Sequence, residues 1–124
     1  MSFLFIISIS CHKEKEGINS LSVWGEWIWI ESNGGIKGET IKPAINITNR
    51  MIFDDFFVSK YINDSLISKE EYELSITSEI LIGTTTKTII KYDKHNYQAI
   101  IVGPNELELI DQCYDCYFHR YRRK

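Results

Sequence analysis

Apolar and polar residues alternate with a period of two along most of this chain, a pattern typical of strands that bury one face. In residues 71–77, for example, Tyr72, Leu74 and Ile76 alternate with glutamate and serine. Stretches rich in glycine, asparagine, aspartate and proline interrupt the alternation and indicate turns. The pattern predicts eight strands, over residues 22–31, 49–54, 56–61, 71–77, 86–92, 97–102, 106–110 and 117–123.

Most breaks between these strands have the length of a hairpin connection. Residues 32–46 are an exception, since their glycines and Pro43 favour an irregular segment, and residues 62–72 have room for a turn or two of helix. Eight antiparallel strands in sequence either split into two sheets or close into a barrel, and closure leaves no exposed edge. We therefore predict an all-β fold, an eight-stranded antiparallel up-and-down barrel, whose interior is nearly filled or holds one small ligand.

The first predicted strand contains all three tryptophans of the chain, Trp24, Trp27 and Trp29. Trp27 and Trp29 have the same parity, so both are expected to face the barrel interior. Further inward candidates are Met51, Phe53 and Tyr72. Trp29 and these three residues either pack the core or form the wall of a ligand pocket, and Glu31 is a candidate polar group or a solvated carboxylate at its rim.

The length and charge of the chain limit the classes of function. Its 124 residues suit one domain, and its net charge of −3 supplies no basic excess for binding phosphates. We therefore expect a monomer without a nucleic-acid partner.

The N-terminal residues have the pattern of an export signal. Residues 1–10 are largely apolar and too short to span a bilayer, and Cys11 is followed by a charged stretch within residues 11–20. On this interpretation the signal is cleaved before Cys11, which then carries a lipid anchor, and the barrel domain covers residues 21–124. The expected location is the cell envelope, at the periplasmic or surface face of a bacterial outer membrane. The alternative is a buried N-terminal strand with a free cysteine.

Cys113 and Cys116 form the one motif with evident reactivity. A disulfide or free thiol pair, a metal site and a redox site are three alternatives, but His95 and His119 do not complete a standard zinc spacing. The chain contains neither a Gly-x-Ser-x-Gly nor a His-Glu-x-x-His motif. We therefore expect no enzyme activity, no cofactor and no metal.

Five segments together resemble the small lipocalin-like lipoproteins of the Bacteroidetes group, and the resemblance extends from about Leu21 to the end of the chain. They are residues 24–29, 32–35, Pro43, 107–111 and 121–123. The resemblance implies that Gly25 and Trp27 form the Gly-x-Trp signature. It also implies that Trp27 closes the barrel floor and that an arginine of the last strand, matched by Arg123, lies across its ring. Members of the broader fold family often bind small hydrophobic molecules inside the barrel.

Two hypotheses for function follow. The first is a membrane-anchored, non-catalytic lipoprotein that binds a small hydrophobic ligand, with Trp29, Met51, Phe53 and Tyr72 as pocket residues. The second is a structural or interaction lipoprotein with a filled core, which presents residues 32–46 to a partner in the envelope.

Overall fold

The computed structural model describes residues 22–93 and 96–124, which form nine β-strands and no helix. This part of the chain accordingly contains no helical segment that could cross a membrane. The strands are β1 (Gly25–Gly34), β2 (Glu39–Ile41), β3 (Asn49–Phe53), β4 (Phe57–Ile62), β5 (Ser65–Ile76), β6 (Thr88–Tyr92), β7 (Tyr97–Val102), β8 (Glu106–Asp111) and β9 (Tyr117–Arg123).

Eight of these strands form a closed antiparallel barrel. The hydrogen-bonded order is β1-β3-β4-β5-β6-β7-β8-β9, and β9 pairs back onto β1 from Trp27 opposite Arg123 to Gly34 opposite Tyr117. The short strand β2 pairs only with the last residues of β1. The predicted all-β, eight-stranded, lipocalin-like barrel is thus confirmed.

Three local predictions need correction. The first strand is Gly25–Gly34, so residues 22–24 precede it instead of starting it. The suggested helical turn within residues 62–72 is wrong, because Ser65–Ile76 is one long strand paired with both β4 and β6. Strand β2 was not predicted at all, since its three residues are all exposed and show no apolar alternation.

The main core lies in the barrel interior. Side chains from six barrel strands and from Val23 meet there, and alternation along each strand selects them. The fully buried members are Val23, Trp27, Met51, Phe53, Val58, Ile90, Ile100, Leu107 and Leu109.

A second, smaller core lies on the outer face of the barrel wall. Ile89, Ala99 and Ile110 each adjoin an inward residue along their strands and so face outward, and Leu81 from the segment after β5 covers them. Gln112 fixes this segment, since its side chain accepts a hydrogen bond from the N–H of Ile82 (2.8 Å) and donates one to the carbonyl of the same residue (3.1 Å).

Several sequence predictions lie outside the described residues. These are the export signal of residues 1–10, the tether of residues 11–20 and the lipid anchor on Cys11, together with His95.

Candidate functional site

The floor of the barrel is formed by Trp27 and Arg123. Trp27 is completely buried, and its indole Nε1 donates a hydrogen bond to the carbonyl of Val23 (2.9 Å). The guanidinium carbon of Arg123 lies 4.1 Å from the centroid of the Trp27 ring, a cation–π arrangement. The structure therefore brings together the tryptophan and the arginine for which the sequence resemblance implied this contact.

Arg123 also ties separate segments of chain to the floor. Its Nε and both Nη atoms donate hydrogen bonds of 2.9–3.0 Å to three carbonyls, those of Pro104, Trp24 and Ser22. Gly25 allows this approach, because its φ is +115° and a Cβ there would lie 3.3 Å from Nη1 of Arg123. Gly25 and Arg123, the residues of the predicted signature besides Trp27, thus lie close together at the floor.

A cavity of about 320 Å³ occupies the opposite end of the barrel, which we call the mouth. Strands β1, β3, β4, β5 and β9 contribute its wall, which mixes apolar, aromatic and polar groups. The lining residues are Trp29, Ser32, Asn49, Arg50, Met51, Lys60, Tyr61, Ile62, Ile67, His119 and Tyr121.

The four predicted pocket residues divide between the mouth and the floor. Trp29 and Met51 line the cavity, but Phe53 and Tyr72 do not. Phe53 lies opposite Gly25, at the level of the floor, and contacts Tyr72 edge-to-face at a centroid distance of 5.1 Å. Phe53 and Tyr72 are therefore core residues near the floor. Alternation shows which residues face the interior, but it does not show how far along the barrel axis they lie.

A chain of hydrogen bonds crosses the mouth from Trp29. Its indole Nε1 donates to Oγ of Ser32 (2.9 Å), Oγ lies 2.7 Å from Nδ1 of His119, and Nε2 of His119 lies 3.1 Å from both carboxylate oxygens of Asp111. Because an ionised carboxylate can only accept, the tautomer of a neutral imidazole that fits these contacts has its proton on Nε2, and its Nδ1 accepts from the hydroxyl of Ser32. Gln98 completes the chain by donating to Asp111 (2.8 Å).

The alternation in the sequence did not predict these hydrogen bonds, because β1 contains a β-bulge. The pairing of β1 with β9 shifts register between Trp29 and Glu31, which moves Ser32 onto the interior face and Glu31 onto the outer face. There Glu31 accepts a hydrogen bond from Nη1 of Arg120 (2.7 Å), which lowers the pKa of the Glu31 carboxyl. Glu31 is thus a paired carboxylate outside the pocket.

Serine, histidine and aspartate in one hydrogen-bonded line are also the residues of many hydrolases. Here, however, Ser32 is only 5% exposed, and its hydroxyl already accepts from Trp29 while donating to His119. The contact with His119 by itself would suit a nucleophile, but an almost fully buried oxygen that already accepts from Trp29 has little access to a substrate carbonyl. This arrangement fixes the orientation of the Trp29 indole in the cavity wall.

Cys113 and Cys116 are joined by a disulfide in the turn between β8 and β9, with their Cα atoms 5.5 Å apart. Of the three alternatives for this pair, the structure has the disulfide. Within residues 22–93 and 96–124, no three histidine, cysteine, aspartate or glutamate side chains cluster as metal ligands.

Comparison of the chain with models of protein families, with curated proteins and with solved structures gives no match. The evidence for function therefore comes from the geometry of the floor and the mouth.

Proposed function

We propose that this chain is a membrane-anchored, lipocalin-like lipoprotein of the bacterial cell envelope, which binds a small, largely apolar ligand in its barrel and is not an enzyme. The observation that carries the proposal is the cavity of about 320 Å³ in the mouth, with Trp29 and Met51 in its wall. Ligand pockets of soluble proteins begin at about 300 Å³ and combine apolar walls with a few placed polar groups.

The fixed orientation of Trp29 supports a binding role. Its ring is partly exposed in the mouth, and the hydrogen bond from Nε1 to Ser32 satisfies the only polar atom of the indole. A ligand that covers the ring therefore need not supply a partner for Nε1. Preorganised walls of this kind reduce the entropy lost when a ligand binds.

The contact of Arg123 with Trp27 supports the lipocalin-like assignment, because the sequence resemblance implies the same pair. Arg123 also holds the carbonyl of Ser22 at the floor. The first described residues therefore join the barrel at the end opposite the mouth. A chain anchored at Cys11 would therefore enter the described part of the barrel at the floor.

Binding can be tested with the neutral fluorescent probe N-phenyl-1-naphthylamine, added to the full chain carrying Cys11→Ala so that no detergent is needed. We expect saturable binding with energy transfer from tryptophan. Trp29→Phe should reduce this transfer more than Trp24→Phe does, because Trp29 lines the cavity whereas Trp27 and Trp24 lie at the floor. Trp24→Phe is the matched control, because Trp24 is 54% exposed beside the floor. No saturable binding, or equal transfer in both variants, would contradict the proposal.

Anchoring needs a separate experiment. Mass spectrometry of the N-terminal peptide from the membrane-expressed chain should show acyl chains on Cys11, and Cys11→Ala should release the protein from the membrane. A peptide that retains residues 1–10 and an unmodified Cys11 thiol would refute the anchor and leave the binding proposal standing.

A second candidate function, an interaction lipoprotein, is favoured by the segment between β1 and β3. Ile36 and Ile45 in this segment are each 87% exposed, an arrangement that suits a protein partner. If this surface holds an envelope partner, the double variant Ile36→Ser, Ile45→Ser should lose co-purification from solubilised membranes, whereas Trp29→Phe should retain it. Equal recovery with both variants would remove this candidate.

A further inference from the structure

The cavity contains a cation that lacks a carboxylate partner. Lys60 lies on β4 opposite Met51, and its Nζ is 5.9 Å from the centroid of the Tyr92 ring, which packs against the main core. The Lys60 side chain therefore leaves β4 on the interior face, and it is exposed to solvent at the mouth. No carboxylate of the described residues forms an ion pair with it.

A second unused donor lies in the same wall. Tyr121 is opposite Trp29 in the pairing of β1 with β9, and both residues line the cavity. Burial raises the pKa of Tyr121 to about 12, so its hydroxyl keeps its proton at neutral pH. Among the described residues this hydroxyl has no hydrogen-bond partner.

A third polar group of the lining is also unsatisfied. The Oδ1 atom of Asn49 is buried and has no hydrogen-bond partner among the described residues. As an amide oxygen this atom can only accept a hydrogen bond, so an ionised carboxylate must bind apart from it, at groups that donate. The ammonium of Lys60 and the hydroxyl of Tyr121 are thus two donors of this lining that have no ion pair or hydrogen bond with the described residues.

Building on the ligand-binding function proposed above, we infer that the natural ligand is an aliphatic monocarboxylate. Its chain contacts Trp29, Met51 and Ile67, and its carboxylate accepts hydrogen bonds from the ammonium of Lys60 and the hydroxyl of Tyr121. Since ligand pockets begin at about 300 Å³, this cavity of about 320 Å³ suits a short chain, and octanoate serves as the probe.

The test compares three ligands of equal chain length: octanoate, 1-octanol and octylammonium. Isothermal titration of the oxidised full chain carrying Cys11→Ala should show octanoate binding at least tenfold more tightly than 1-octanol, with octylammonium weakest. Equal affinity for octanoate and 1-octanol would overturn the inference while leaving the binding function intact. Preference for octylammonium would overturn it too, and would show that the interior carboxylates of Glu70 and Asp111 dominate.

Variants assign the preference to residues. Lys60→Gln should weaken octanoate at least tenfold and 1-octanol less than twofold, and Tyr121→Phe should weaken octanoate about fivefold. Lys69→Gln is the matched control, because Lys69 also lies over an aromatic ring, that of Phe57 at 4.8 Å, but does not line the cavity. Circular dichroism establishes that each variant is folded.

The outcomes separate the two proposals. If no eight-carbon ligand and no naphthylamine probe binds the folded chain, the ligand-binding function itself fails. If the probe and 1-octanol bind but Lys60→Gln leaves octanoate affinity unchanged, only the assignment of a carboxylate ligand fails.

Discussion

Substitution of Arg123 by lysine isolates what the guanidinium contributes to the floor. Lysine keeps the positive charge over Trp27, but it cannot reach three carbonyls in different directions as the guanidinium does. At least two of the three hydrogen bonds are therefore lost. At about 1 kcal/mol net for each bond, Arg123→Lys should lower the free energy of unfolding by about 2 kcal/mol.

Urea unfolding followed by far-ultraviolet circular dichroism measures this change. With an m-value of about 1–2 kcal/mol/M, the midpoint should fall by about 1–2 M, and the melting temperature should fall by about 8–16 °C. The emission of the buried Trp27 should report the same transition, because the floor unfolds together with the barrel.

Arg122→Lys is the matched control. Arg122 is the preceding residue of β9, is exposed on the outer face and has no hydrogen bond from its side chain among the described residues. Its replacement should change stability by less than about 0.5 kcal/mol. If the two lysine variants unfold at the same urea concentration, the fork of Arg123 does not stabilise the floor and the reasoning is refuted.

Three further predictions concern the rest of the barrel. Gly34→Ala should lower the free energy of unfolding by about 3 kcal/mol, because the φ of Gly34 is +140° and the new Cβ would lie 2.2 Å from the carbonyl oxygen of Cys116. The control Gly38→Ala, whose Cβ would have no atom within 4 Å, should lower it by about 1 kcal/mol. Thermal melts measure both changes. The hydrogen bond from Arg50 lowers the pKa of Glu26 below its ordinary 4.5, so its stabilisation is complete above that pH and disappears as the pH falls through the lower folded value. Glu26→Gln should therefore flatten the decline of the urea midpoint between about pH 5 and 3, and an unchanged slope would exclude this pair as its cause. Replacing both cysteines of the Cys113–Cys116 disulfide by serine should cost about 2 kcal/mol, and an equal urea midpoint would count against any entropic contribution from this short loop.

The sequence predicted the strands and their antiparallel order because the signals for them are local. Alternation over five to seven residues defines a strand, and polar breaks such as that after Phe53 define hairpins that pair neighbouring strands. Strands β7 and β9 were predicted with their observed bounds. The longer β5 was missed in part because its first residues are nearly all exposed and lack alternation.

The candidate site was predicted only in part, because it combines residues from strands that are distant in the sequence. Trp29 and Met51 were identified by parity, and Trp27 and Arg123 by resemblance. Lys60 lies two residues after the buried Val58, so parity alone places it on the interior face of β4. It was not predicted as a site residue because a charged residue in a strand is usually assigned to the solvent side.

The sequence by itself determined the alternation that makes strands, the hairpins that order them, and the set of apolar residues available to fill a barrel. Only the tertiary structure decided how deep each inward residue lies and which distant residues meet. The bulge between Trp29 and Glu31 depends on the pairing of the first strand with the last, and the contact of Ser32 with His119 joins residues 87 positions apart. Closure of the barrel pairs the first strand with the last, and no periodicity in the sequence indicates such a pairing. The hydrogen bonds from Trp29 through Ser32 to His119 therefore follow only from the closed barrel.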